Sequence, residues 1–189
     1  MTKHRIAIFA SGAGSNANRI MEYFKNSENI SVDLIICNNP EAGVLIHAIN
    51  HKVRFYLGNN AELSDPTLLM NLLSECEINF IVLAGYLRKI PLEVIQRFPN
   101  KIINIHPALL PKYGGKGMYG SRVHQAVLDN NEHESGITIH YVTEHYDEGG
   151  IIAQFNCPVL EKDTVDALAK RIHELEHKNY PEVLANLLL

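Results

Sequence analysis

Residues 5–16 read RIAIFASGAGSN. The apolar run Ile6 to Ala10 suits a strand buried on both faces, and the small residues Ser11 to Ser15 let the chain turn tightly into a helix. Moving outward, short β-rich runs alternate with segments whose apolar residues recur at helical spacing. Strands are expected over Arg5 to Ser11, Val32 to Asn38, Arg54 to Gly58, Ile78 to Gly85 and Lys101 to His106, with helices near 15–27, 41–50, 66–76 and 91–98. In the third helix Pro66 suits a first turn, while Leu69, Leu72, Leu73 and Cys76 form one apolar stripe. That alternation predicts α/β: a mainly parallel twisted sheet flanked by helices, Rossmann-like. After a Gly- and Pro-rich loop (107–120) come a short helix from about Ser121 and two strands, Gly136 to Thr143 and Ile151 to Val159. The turn at Gly149 and Gly150 pairs those strands as an antiparallel C-terminal hairpin. Asp163 is expected to cap a last helix whose apolar face is Val165, Leu168, Ala169 and Ile172. A single domain over 1–189 is the expectation.

Composition narrows the function. The chain has 189 residues, 46 % of them apolar, and a net charge of −4, which excludes a disordered or collagen-like protein. A mildly acidic chain without a Lys/Arg run is not suited to holding nucleic acid or an anionic membrane. The longest mostly apolar run, Phe80 to Leu87, is far shorter than the roughly 20 residues of a spanning helix. With no export or anchoring segment at its start, a cytoplasmic setting is expected. Cys37, Cys76 and Cys157 are far apart among apolar neighbours, and are expected to be reduced, buried and structural.

Two places carry candidate chemistry. In parallel sheets ligands gather at the carboxyl ends of strands. At the first such end, Gly12 to Asn16 can aim free N–H groups at an anion. Gly12, Gly14 and Ala17 also fit a dinucleotide fingerprint, but Cys37-Asn38-Asn39 stands where a ribose-binding acid belongs. A phosphate monoester therefore suits the loop better than NAD; the alternative is a plain tight turn. At the fifth strand, Asn104 and His106 stand at i and i+2, on the same side of the strand, with Pro107 ending the ladder.

SGAGSN (11–16), LAGYLRKI (83–90), NIHPALLPKY (104–113) and HYDEGGIIAQ (145–154), taken in order, resemble the folate-dependent formyltransferases. The resemblance extends from Arg5 to about Pro181. It implies transfer of a formyl group from the cosubstrate 10-formyltetrahydrofolate to the amine of glycinamide ribonucleotide, in purine biosynthesis, without a metal. It implies catalytic roles for Asn104, His106 and Asp147, a phosphate site at Gly14, Ser15 and Asn16, and folate contacts at Leu87, Arg88, Lys89 and Ile90 together with Asn104. Glu176 matches a residue near the substrate glycinamide and ribose, and His140 a histidine behind the active site. Small-molecule substrates are then the only partners expected, in a monomer or homodimer.

These residues suit the chemistry. Attack by an amine on a formyl carbon passes through a tetrahedral oxyanion, which the Asn104 amide and a protonated His106 would stabilise. Asp147 is expected to raise the His106 pKa, keep the ring charged and order a water for proton transfer. Periodicity separately puts Glu176 inside the apolar face of the last helix, where a carboxylate needs a partner; a partly exposed last-turn glutamate is the alternative. For His140 a buried, hydrogen-bonded structural role is equally open.

The chief rival is a zinc peptidase, since His173-Glu174-Leu175-Glu176-His177 satisfies H-E-x-x-H. Catalytic zinc needs a third protein ligand, and the twelve residues after His177 contain no His or Asp. A phosphometabolite-binding module would explain Gly12 to Asn16 but not Asn104, His106 and Asp147. Relatives acting on methionyl-tRNA or as deformylases are expected to carry a further domain.

Overall fold

The computed structural model describes residues 3–189. Seven strands and six helices alternate in the order β1 (His4–Ala10), α1 (Ser15–Phe24), β2 (Ile30–Cys37), α2 (Val44–His51), β3 (Arg54–Leu57), α3 (Pro66–Glu75), β4 (Phe80–Leu83), α4 (Leu92–Arg97), β5 (Ile102–His106), α5 (Ser121–Asp129), β6 (Glu134–Tyr141), β7 (Ile151–Pro158) and α6 (Val165–Leu188). The sheet order is β3-β2-β1-β4-β5-β6-β7. β1 is parallel to β2 and to β4, β2 is parallel to β3, and β6 and β7 are antiparallel. The expected mainly parallel sheet with an antiparallel hairpin is what the chain forms. By compactness it falls into two units, residues 1–103 with 184–189, and residues 104–183.

In the first unit Ile6, Ala7, Ile8, Phe9 and Ala10 are all fully buried, as a central strand covered on both faces requires. Sheet order reverses at β1, between β2 and β4. α3 shows how local sequence sets an element: the Asp65 carboxylate accepts the Thr67 N–H at 2.8 Å, and Pro66 occupies the first turn. Leu69, Leu72 and Leu73 are buried on its inner face, each contributing about 1.5–3 kcal/mol.

In the second unit β6 is buried from Ser135 to His140. α6 buries Leu168, Ile172, Glu176 and Tyr180, four residues apart, along one stripe. Its start corrects the expected cap. The Thr164 hydroxyl accepts the Ala167 N–H at 3.2 Å. Asp163 instead accepts the Leu160 N–H at 2.9 Å and both terminal nitrogens of Arg171 at 2.7 and 3.1 Å. A guanidinium fork suits both carboxylate oxygens, which draws this aspartate away from the cap. All three cysteines are free thiols and buried. No helix among the described residues is long and apolar enough to cross a membrane.

His124 on α5 is 3 % exposed, and its buried Nδ1 has no hydrogen-bond partner. Burial, reinforced by His173 and His106, pushes its pKa down to about 4. In the unfolded chain the ring titrates near its ordinary value of about 6.5. The unfolded state therefore gains the proton first, and stability is lost as pH falls from about 6.5 toward 4. His124→Gln, which cannot charge, should lose less stability than the parent between pH 7 and pH 5 in urea titrations; equal losses would refute the assignment.

Candidate active site

The loop after β1 is braced on three sides. Ser11 donates its N–H to the Gly85 carbonyl at 3.0 Å, its carbonyl accepts from the Asn39 amide at 3.2 Å, and its hydroxyl oxygen accepts the Leu87 N–H at 3.0 Å. Asn39, at the position that argued against a dinucleotide, thus secures the glycine turn. Gly14 precedes α1 with φ +76°. A Cβ there would stand 2.5 Å from Val44 Cβ, so both backbone conformation and space demand glycine. The first turn of α1 has no acidic residue, and its leading N–H groups lack carbonyl partners within the helix. Gly14, Ser15 and Asn16 therefore lie at the positive end of a helix dipole, suited to an anion.

Beyond β4, Leu87 is 51 % exposed and Ile90 only 2 %. Arg88 and Lys89 are exposed as well. The four residues expected to touch folate thus divide: three are presented outward, while the Ile90 side chain belongs to the core.

All three expected catalytic residues lie in the second unit, and they converge. Asn104 and His106 come from the end of β5, Asp147 from the turn between β6 and β7. His106, 3 % exposed, donates Nε2–H to the Tyr113 carbonyl at 2.7 Å, while its Nδ1 faces Asp147 Oδ2 at 3.6 Å. A ring nitrogen that close to a carbonyl carries the hydrogen, leaving Nδ1 bare in the neutral ring. The second Asp147 oxygen lies 3.5 Å from His140 Nε2, and that nitrogen is 3.2 Å from the Asn104 amide nitrogen. Asp147 has φ +56°, a conformation aspartate tolerates better than most residues. At Gly149 a Cβ would fall 1.8 Å from the Tyr141 carbonyl, so this turn closes only with glycine.

Electrostatics differ from the sequence expectation at His106. Burial pushes its pKa down, and this outweighs the upward pull of the Asp147 carboxylate and the Tyr113 carbonyl; His140 adds to the depression. The ring rests neutral rather than charged, because desolvation costs the cation more than one carboxylate at 3.6 Å returns. For Asp147 burial pulls upward, yet the adjacent His140 ring, the hydrogen bond from Gly115 N–H and the His106 ring together bring its pKa below the ordinary value.

Tyr113 and Gly115 escaped sequence reasoning. The Tyr113 carbonyl fixes the His106 tautomer, and Gly115 N–H donates to Asp147 Oδ2 at 2.8 Å. Backbone groups carry no residue-type signal; the Gly114-Gly115 pair was the sole hint. Glu176 is buried on α6, as its periodicity predicts, and is felt electrostatically by the fully buried Tyr180 hydroxyl, whose pKa burial raises well above normal. Lys112 reaches Glu132 at 2.8 Å on the surface. His173 and His177 stack with ring centroids 6.2 Å apart. Among the described residues no three His, Cys, Asp or Glu side chains form a group able to hold a metal ion.

The sequence matches the formyl transferase family model over residues 4–184. It is 43 % identical over 188 residues to the chloroplastic phosphoribosylglycinamide formyltransferase of Arabidopsis thaliana, covering 96 % of this chain and 64 % of the relative. The chain thus spans somewhat less than two thirds of that plant protein. It is 36 % identical to phosphoribosylglycinamide formyltransferase of Bacillus subtilis, covering 97 % of this chain and 94 % of the relative. The crystal structure of glycinamide ribonucleotide transformylase 1 from Geobacillus kaustophilus superposes with a TM-score of 0.90 at 33 % identity, covering 99 % of this chain and 100 % of that one.

Gly14→Ala tests the loop. It forces a left-handed alanine into Val44 and should cost about 1–3 kcal/mol of stability, measured by chemical denaturation. An unchanged midpoint would show that the turn relaxes freely and that glycine is not required.

Proposed function

The chain belongs to the formyl transferase family, and from that premise we propose that it is a phosphoribosylglycinamide formyltransferase. It moves the formyl group of 10-formyltetrahydrofolate to the amine of glycinamide ribonucleotide, a step of purine biosynthesis. The observation that carries this reading is the meeting of Asn104 and His106, from the end of β5, with Asp147, from the β6–β7 turn, in one cluster joined through His140. Gly14, Ser15 and Asn16 take the ribonucleotide phosphate through backbone N–H groups, and Glu176 serves the glycinamide and ribose. Leu87, Arg88 and Lys89 receive the folate; at Ile90 the backbone is the part available. Three buried free thiols suit the reducing cytoplasm. No metal has a role here, and the protein acts as a monomer or homodimer.

The mechanism follows from the rest state of the cluster. The substrate amine attacks the formyl carbon, and the carbonyl electron pair moves onto oxygen. Asn104 N–H donates to that oxyanion. As the new C–N bond forms, the amine gives a proton to the bare Nδ1 of His106, directly or through one water. The cation so formed faces Asp147, 3.6 Å away, which stabilises it when it appears. Imidazolium then returns the proton to the folate nitrogen as the old C–N bond breaks. Asp147 therefore serves the charged state reached during the reaction, rather than holding His106 charged beforehand.

Incubation with glycinamide ribonucleotide and a 10-formylfolate donor should yield the formylated ribonucleotide; formate as sole product would mark a hydrolase and reject the transferase. Asn104→Ala should lower kcat roughly 10²–10³-fold. Near-native turnover in Asn104→Ala and His106→Ala together would end the assignment of roles.

A pH profile tests the electrostatics. A depressed His106 pKa puts the acid limb of kcat/KM below the ordinary histidine value of about 6.5. Asp147→Asn tolerates the same backbone but removes the charge that favours imidazolium, so the limb should move further down by about 1 unit. A limb that stays in place would separate Asp147 from His106.

A further inference from the structure

We propose that His140 is a positioning residue for formyl transfer, its ring fixing which end of the Asn104 carboxamide is presented to the reacting carbonyl. This rests on the reading of Asn104 as the oxyanion donor. An asparagine amide has two nearly identical shapes, one the reverse of the other, and only its nitrogen end can stabilise an oxyanion. Left to itself the side chain would populate both.

The geometry removes that freedom. His140 sits on β6 and is 2 % exposed. Its Nδ1 lies 2.8 Å from the Tyr141 carbonyl oxygen, a distance that demands a hydrogen on the ring nitrogen. In the neutral ring Nε2 is therefore bare. That lone pair faces the Asn104 Nδ2 at 3.2 Å and accepts one of its two N–H groups, leaving the second for the substrate oxygen. Reversing the amide would set Oδ1 against the Nε2 lone pair, two acceptors in contact. Through the Tyr141 carbonyl, the backbone of β6 thus dictates the orientation of a side chain on β5. The charged and titratable groups around the ring are Asp147 and His106.

Two measurements test this. Nitrogen NMR of the ring should show His140 protonated at Nδ1 and bare at Nε2 in the resting protein near pH 7.5; the opposite tautomer or a doubly protonated ring overturns the proposal. In turnover, His140→Ala should lower kcat roughly 10- to 100-fold while both KM values stay within about twofold. His140→Gln, with an amide where Nε2 stood, should recover most of the loss, and His140→Asn, which replaces only the Nδ1 end, should not. The Asn104→Ala/His140→Ala double variant should be no slower than Asn104→Ala alone, since His140 then has nothing to orient. Multiplied losses, or unaltered kcat in His140→Ala, overturn it. A parent protein that makes no formylated product rejects the transferase reading instead, and the ring spectra still decide the orientation.

Discussion

A carboxylate withdrawn from water organises the chemistry of the second unit. The Asp147 side chain is 12 % exposed, and a buried anion is tolerated only when donors replace the water it has lost. Gly115 N–H donates to one oxygen directly, while the His106 and His140 rings stand at 3.6 and 3.5 Å as neighbours rather than donors at rest. Those demands bring three segments to one place: the end of β5, the loop after Tyr113 and the β6–β7 turn. Gly149 permits the turn to close under Tyr141, where a side chain would collide with the backbone. The cluster is thus a solution to a burial problem as well as the proposed seat of catalysis.

The same physics separates the two histidines beside that carboxylate. Each has one nitrogen committed to a backbone carbonyl, Nε2 of His106 to Tyr113 and Nδ1 of His140 to Tyr141. The opposite nitrogen is left bare in each ring, on His106 toward the oxygen that will balance its charge and on His140 toward the Asn104 amide. One ring is thereby suited to take a proton and the other to hold a neighbour still.

How much of this was legible in the residues depends on the range of the interaction. α3 was readable because its cap, its proline and its leucine stripe are all local. Glu176 was readable as buried because helical periodicity is local too. The H-E-x-x-H match carried little weight for the converse reason: a five-residue pattern says nothing about the third ligand that catalytic zinc needs. The cap of α6 was misassigned because Arg171, eight residues on, competes for Asp163.

By itself the sequence determined the α/β alternation, the glycine turn after β1, and the paired Asn104 and His106 on one side of a strand. These depend on periodicity, on residue type and on motif order, all of which are written in the chain. Tertiary structure alone decided the tautomer of each histidine, the downward direction of the His106 pKa, and the service of Tyr113 and Gly115. Each of those is set by which backbone group or charge lies within a few ångströms in space and by how much water is excluded. Neither quantity exists until distant segments have been packed together.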